Sequence, residues 1–343
     1  IKPNSGQRSL PPVPKPRDVV PPFIRNPYLE RNSEGVSCFQ SAQPCLPRRP
    51  YQRFKWEYKQ QERLGHGYFS EVWKVQHRIS GKHYAVKTNA DIIVSIPSRN
   101  IWLNEIQVLA AVEGHPNVIT MHDAWFEPYT QGTDCDGEKC YIKMELCSES
   151  LQNMFRKKVQ FREQDLLKIM QQIASALKHI HSLDIIHMDV KPDNIYQSQN
   201  GEFKLGDFGL SSLKDGRRLG NSEGDSKYLA PEVLRRDPSL STCKDKIDLF
   251  ALGATIYELA SGTELPKNGP VWHEIRQGKL MIMPQISVRF QALLKKLMHP
   301  DPTQRPTADA LLKSPLLTSI SVPATSSSSS TASSASLSSS YLG

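Results

Sequence analysis

His187-Met188-Asp189-Val190-Lys191-Pro192-Asp193-Asn194, followed thirteen residues later by Asp207-Phe208-Gly209, is the stretch around which this 343-residue chain is organised. Phosphoryl transfer asks a protein for positioning and charge neutralisation more than for covalent chemistry. Asp189 is placed to act as a base beside an attacking hydroxyl. Lys191, two residues on, is placed to neutralise a phosphoryl group in transit. Asn194 and Asp207 supply side-chain oxygens of the hard kind that hold a divalent metal. Asp-Phe-Gly alone would be a weak signal. Two motifs, in order and closely spaced, outweigh a solvated loop that happens to contain these residues.

The flanking pattern divides the chain. Upstream, apolar alternation runs through Val72-Trp73-Lys74-Val75 and His83-Tyr84-Ala85-Val86-Lys87, punctuated by Gly65, Gly67 and Gly81. These are short antiparallel strands. A helix is expected around Asn100–Glu113, with Ile101, Ile106, Leu109 and Val112 toward the core. Strands follow near Met121–Phe126 and Tyr141–Leu146, with Glu127–Cys140 read as a long polar hairpin loop. Downstream, Leu166, Met170, Ile173, Leu177 and Ile180 fall at helical spacing and lead into the opening stretch. Ile247–Ala260 is apolar on most sides, as a fully buried helix would be. Further helices fit Gln291–Met298 and Thr307–Lys313. The fold class is α+β: a small β-rich N-lobe over 56–147 and a larger, mainly helical C-lobe over 148–317, making one domain at 56–317. Residues 1–55 hold eleven of the 25 prolines and read as a disordered, basic, Pro-rich arm; 318–343 read as a disordered Ser-rich tail.

Charge and cysteines narrow the function. The net charge is +8, yet residues 1–55 carry ten Lys/Arg against three Asp/Glu, so +1 remains for 56–343. The basic character belongs to the arm, with no dense cluster marking a nucleic-acid face. No nucleic-acid partner is expected. No run of 18 apolar residues exists, so no membrane span is expected. The chain opens on Ile1, which leaves its true start open. The six cysteines, at 38, 45, 135, 140, 147 and 243, form no Cys-x-x-Cys pair, and reduced thiols are the default reading.

The opening stretch resembles the catalytic and metal-binding loops of protein kinases, and the resemblance covers about residues 58–317. Leu64-Gly65-His66-Gly67-Tyr68-Phe69-Ser70-Glu71-Val72 resembles the kinase Gly-rich loop, with Ser70 in place of the third glycine. The resemblance implies that this loop and Ala85 enclose ATP, and that Lys87 grips its α- and β-phosphates. It implies that Glu105, in Leu103-Asn104-Glu105-Ile106, orients Lys87. It also places adenine against Met144-Glu145-Leu146-Cys147, with Met144, Glu145 and Cys147 as contacts and Met144 guarding the pocket behind. Asp189, Lys191, Lys87 and Glu105 are then the catalytic set, and Asn194 and Asp207 the Mg2+ ligands. Asp248 resembles the residue that holds the catalytic-loop backbone. Arg305 resembles the arginine that pairs with the glutamate of Ala230-Pro231-Glu232.

Within that superfamily the chain is similar to the Wee-type, mitosis-inhibiting kinases, and most to plant members. Met188 in the catalytic loop, Lys204-Leu205-Gly206, Glu223-Gly224-Asp225-Ser226-Lys227-Tyr228, Ala124-Trp125-Phe126 and Val19-Val20-Pro21-Pro22-Phe23-Ile24-Arg25-Asn26-Pro27-Tyr28-Leu29 carry the likeness. It implies a monomeric, nuclear, ATP- and Mg2+-dependent tyrosine kinase. Its partner and substrate would be a cyclin-dependent kinase–cyclin complex, phosphorylated on the inhibitory tyrosine of the Gly-rich loop. Lys191 by itself is the serine/threonine-kinase pattern, so the residues alone point to serine/threonine, and the tyrosine reading comes from the resemblance. A serine/threonine kinase with another substrate and a pseudokinase scaffold are the alternatives. Met188 stands where most kinases carry an arginine that clamps an activation-loop phosphate, which implies activity without that phosphate.

Overall fold

The structure, a computed structural model, describes residues 52–67, 69–130, 135–213, 224–235 and 243–319. The expected tail lies almost wholly outside these residues, and so does the arm up to Tyr51. Residues 53–55, placed in the arm, instead begin a short helix, α1 (Arg53–Glu57).

Five antiparallel strands follow: β1 (Tyr58–His66), β2 (Ser70–His77), β3 (His83–Asn89), β4 (Met121–Thr130) and β5 (Cys135–Met144), in the sheet order β1-β2-β3-β5-β4. The two-residue period of β3 sorts its side chains. Tyr84 and Val86 face outward, into a cluster with Phe54, Tyr58, Trp73, Val75, Trp125 and Tyr141. Ala85 and Lys87 face the other way, and both are buried. Stacked rings join the outer cluster, with Phe54 and Tyr141 4.7 Å apart and Trp125 and Tyr141 5.3 Å apart. Arg53 lies 4.4 Å above Trp125, which ties α1 to the sheet.

Helix α2 (Ile96–Ala111) starts four residues earlier than expected. Ser95 caps it, its hydroxyl accepting from the Ser98 amide, and Pro97 lies in the first turn. Its inner stripe is Trp102, Glu105, Val108 and Leu109, continued by Val112; Ile101, expected in the core, is exposed. Trp102 takes that place on the inner face, one residue along, with Glu105 beside it.

The long hairpin loop expected at 127–140 is corrected by the strands. Pairing runs on through Glu127↔Lys139, Pro128↔Glu138 and Tyr129↔Gly137. Polar composition misled because the stretch is anchored through its backbone and charges. Ile93 and Glu138 exchange two 2.9 Å backbone hydrogen bonds, Arg99 pairs with Glu138 at 2.8 Å, and the Lys139 ammonium donates to the Asn89 and Ala90 carbonyls. Gly137 is required at its position, since a Cβ there would stand 2.5 Å from Ile93 and its φ is +149°.

The C-terminal region begins with β6 (Glu149–Ser150), α3 (Leu151–Arg156) and α4 (Glu163–Ser182), whose buried stripe includes all five residues predicted from spacing. Short strands β7 (Ile185–Ile186), β8 (Ile195–Gln197), β9 (Phe203–Leu205) and β10 (Ser212–Leu213) hold the loops between them, pairing as β6-β8-β9 and β7-β10. Then come α5 (Pro231–Arg235), α6 (Asp245–Ser261), α7 (Pro270–Arg276), α8 (Val288–Leu297), α9 (Ala308–Leu312) and α10 (Pro315–Thr318). Every residue of α6 from Asp248 to Ala260 is buried. Gly253 lets α8 approach, because a Cβ there would stand 2.8–2.9 Å from Met298 and Leu297. The result is an α+β fold with its β-rich part first and its helical part second. Among the described residues no helix is long and apolar enough to cross a membrane.

Candidate active site

Lys87 sits mid-strand on β3, flanked by Val72 on β2 and Ile142 on β5. Its ammonium is buried, 2.6 Å from Glu105 of α2 and 2.9 Å from Asp207. Three segments far apart in sequence therefore meet at one nitrogen. Burial opposes the Lys87 charge, but the Asp207 and Glu105 carboxylates outweigh it and raise the ammonium above the usual lysine range. Burial likewise works to raise Asp207, yet Lys87 and the Gly209 amide hold it down to about 2. Its side chain stays 40% exposed. Backbone φ is +58° at Asp207, a left-handed conformation that a non-glycine residue adopts at a cost.

The loop from His187 to Asn194 is pinned from α6. The two Asp248 carboxylate oxygens accept the His187 and Met188 amides, each at 2.9 Å, and His181 contacts the same carboxylate at 2.8 Å. Met188 is left-handed, with φ +69°. The His187 ring hydrogen-bonds to the Gly206 carbonyl and lies edge-on to Phe208, and burial keeps its pKa low. Within this frame Asp189 meets Lys191 at 2.8 Å and the Asn194 amide nitrogen at 2.8 Å. Burial opposes the Lys191 charge, but Asp189, Asp225 and Asp207 outweigh it and raise its pKa. The Arg305 guanidinium grips Glu232 through two bonds of 2.6 and 2.8 Å, both groups buried.

The Gly-rich stretch is the β1–β2 hairpin, with Gly65 opposite Val72 and the Gly67 amide bonded to the Ser70 carbonyl at 2.8 Å. Neither Gly65 nor Gly67 has a positive φ. A Cβ at either would meet nothing nearer than 3.7 Å. The hairpin itself does not demand glycine at either position. Leu64, His66 and Phe69 are exposed there. Tyr68 lies outside the described residues. Glu71 does not join the Lys87 side of the sheet: it pairs with Thr88, and its carboxylate accepts from the Trp73 indole at 3.1 Å.

Behind the hairpin, Ala85 pairs with Met144 at the end of β5, and both are buried. The Glu145 carboxylate is engaged by the Thr120 amide and by Lys204 at 2.7 Å. Sequence reasoning missed this clasp, since nothing in the spacing of 145 and 204 signals it. Among the described residues the Glu145 carbonyl and the Cys147 amide have no hydrogen-bond partner. One acceptor and one donor thus remain side by side on the backbone. Burial pushes the Cys147 and Cys140 thiols up to about 12, so neither is a thiolate at neutral pH.

Oxygen donors of the right type for Mg2+ are present. Among the described residues the Asn194 amide nitrogen bonds to Asp189 while its carbonyl oxygen takes no hydrogen bond, and Asp207 is engaged through one of its two carboxylate oxygens.

Residues 58–317 match the family described as protein kinase domain. The chain belongs to the protein kinase family. It is similar to a Wee1-like protein kinase of Oryza sativa subsp. japonica, 38% identical over 308 residues covering 88% of this chain and 56% of that protein. A Wee1-like protein kinase of Arabidopsis thaliana is 36% identical over 310 residues, 88% of this chain and 59% of that protein. A membrane-associated tyrosine- and threonine-specific cdc2-inhibitory kinase of Drosophila melanogaster is 37% identical over 259 residues, 74% of this chain and 46% of that protein. The Wee-type resemblance, plant relatives included, is borne out. The chain spans somewhat more than half the length of these plant relatives.

Proposed function

We propose that this kinase transfers phosphate from ATP to the inhibitory tyrosine in the Gly-rich loop of a cyclin-dependent kinase, delaying mitotic entry, and that it acts in the nucleus as a monomer. The observation that carries the phosphotransfer reading is the meeting of Lys87, Glu105 and Asp207 at one buried ammonium. A decayed scaffold has no need to keep a buried ion triad whose charges cost desolvation. Lys87, fixed by Glu105, supplies positive charge to the α- and β-phosphates. The Glu145 carbonyl and Cys147 amide suit the edge of adenine, with Ala85 and Val72 toward its faces and Met144 guarding the pocket behind. Gly65 and Gly67, not required by the hairpin, let backbone amides approach phosphate oxygens. Asp189 accepts the proton of the attacking hydroxyl, and Lys191 neutralises the phosphoryl group in transit. Asn194 and Asp207 would hold Mg2+, which supplies neutralisation of the phosphate charge.

The substrate reading rests on the relatives' likeness, one of them named for cdc2 inhibition. It is tested by labelled phosphate transfer to a cyclin-dependent kinase–cyclin complex, with a second sample whose Gly-rich-loop tyrosine is changed to phenylalanine. Label on the first alone is expected. Equal label on both, as phosphoserine or phosphothreonine, would leave a kinase with another target.

A further inference from the structure

Residues 226–229 end the segment that runs from Asp207-Phe208-Gly209 to Ala230-Pro231-Glu232. Gly224, two residues ahead of them, lies against the loop that carries Asp189. A Cβ there would stand 2.9 Å from the Met188 carbonyl and 3.5 Å from the Asp189 carboxylate. A protein that offers a hydroxyl to Asp189 must rest beside this strip.

The strip's backbone is held from α7. Arg276, the last residue of that helix, donates from Nε to the Leu229 carbonyl at 3.1 Å, and from Nη2 to the carbonyls of Ser226 at 2.6 Å and Lys227 at 3.2 Å. Its Nη1 bonds the Trp272 carbonyl one turn back, and its guanidinium lies 3.7 Å from the Trp272 ring centre. The Trp272 indole donates to the same Ser226 carbonyl at 3.0 Å. Arg276 is only 6% exposed, and among the described residues every one of its hydrogen bonds goes to a neutral carbonyl. Burial pulls its pKa down to about 10, so it remains charged at neutral pH. A buried cation without a carboxylate lowers stability relative to an apolar side chain of similar size. What it supplies in return is a planar fork of donors that fixes three carbonyls of one strip, which neither methionine nor the single ammonium of lysine can do.

We propose that Arg276, stacked on Trp272, is a positioning residue for the protein substrate, shaping residues 226–229 from α7. It does for this strip what a phosphate clamp does in kinases that carry arginine at the position of Met188. This rests on the kinase reading above, but its test includes a measurement that needs no substrate.

Arg276→Met, Arg276→Lys and Trp272→Phe, each in the whole 343-residue chain, are compared with the parent chain. Hydrogen exchange of the amides at 226–229 is expected to rise at least tenfold in Arg276→Met, with 187–195 unchanged. With the cyclin-dependent kinase–cyclin complex as acceptor, KM for that complex should rise about tenfold or more. KM for ATP, and ATP hydrolysis without acceptor, should stay within twofold. Trp272→Phe keeps the ring and loses the indole donor, and should shift exchange and acceptor KM the same way by a smaller factor. Arg276→Lys should not restore the parent values. Unchanged exchange at 226–229, or an equal fall in ATP hydrolysis and acceptor phosphorylation, would overturn the proposal. If Arg276→Met fails to fold, Trp272→Phe decides by the same readouts. If the parent leaves the complex unlabelled, the substrate reading fails and exchange alone decides this one.

Discussion

The Lys87 ammonium stands 2.6 Å from the Glu105 carboxylate, on a helix whose inner stripe it shares with Trp102, Val108 and Leu109. Position 87 is thus defined by α2 as much as by its own strand. Lys87→Met should stay folded but at lower stability, because it leaves the buried Glu105 carboxylate without its partner, and should lose turnover by about 10²-fold or more. Steady-state phosphorylation, with circular dichroism as the folding control, checks this. Near-parent turnover would remove the phosphate-gripping role. Glu105→Gln should lose less, since Asp207 still contacts the ammonium at 2.9 Å.

Asp207 carries two linked expectations. Lys87 holds its folded pKa down to about 2, below the usual carboxylate value. A depressed folded pKa contributes stability that is present above the unfolded pKa, near 4, and is lost as pH falls toward 2. The parent chain should therefore lose its stability advantage over Asp207→Asn across that acid window and keep it at neutral pH. Urea melts at pH 7, 4 and 2.5 read this directly. Asp207→Asn should also need far more Mg2+ to turn over. A rate equal to the parent's at every Mg2+ concentration would sink the metal assignment.

Arg305 and Glu232 test a brace rather than chemistry. Both are buried and joined by two short bonds. Removing one partner strands the other's charge, at about 3–5 kcal/mol, which for a domain of this size lowers Tm by roughly ten degrees. Arg305→Met and Glu232→Gln should each show this in a thermal melt. The double variant should lose less than the sum, because no charge is left stranded. Strict additivity would mean that the pair is not coupled.

Much of this was legible in the residues, for physical reasons that differ by element. The α4 stripe from Leu166 to Ile180 was readable because an amphipathic helix writes its burial into a 3.6-residue period. The meeting of Lys87, Glu105 and Asp207 was readable only through motif resemblance, since no local period links positions 87, 105 and 207. The 127–140 stretch was misread because its strands are held by charged side chains and backbone bridges, and composition scored it as loop. Ile101 was misplaced because α2 is apolar on more than one side, so its sequence does not say which side faces in. The Glu145–Lys204 clasp and the Arg276 fork leave no sequence signal at all. They are contacts between segments 59 and 47–50 residues apart, visible only once the chain is folded.

Met188 bears on how the enzyme is switched on. At this position an arginine would present its fork to an activation-loop phosphate. Methionine has no donor, and here its amide is spent on Asp248 while its φ is +69°. Asp225 already contributes a fixed negative charge that raises Lys191. Its carboxylate also accepts the Lys227 amide at 3.1 Å. The segment entering 226–229 thus has a built-in carboxylate and a cation from α7, and nothing at 188 to reward a phosphate. Phosphatase-treated protein should keep its full turnover toward the cyclin-dependent kinase–cyclin complex, with intact mass confirming removal of phosphate. Met188→Arg should leave that turnover unchanged when the protein is unphosphorylated. Loss of activity on dephosphorylation, restored by phosphate at a site between Ser211 and Ser226, would show that the segment is switched after all, by a cation other than the one lost at 188.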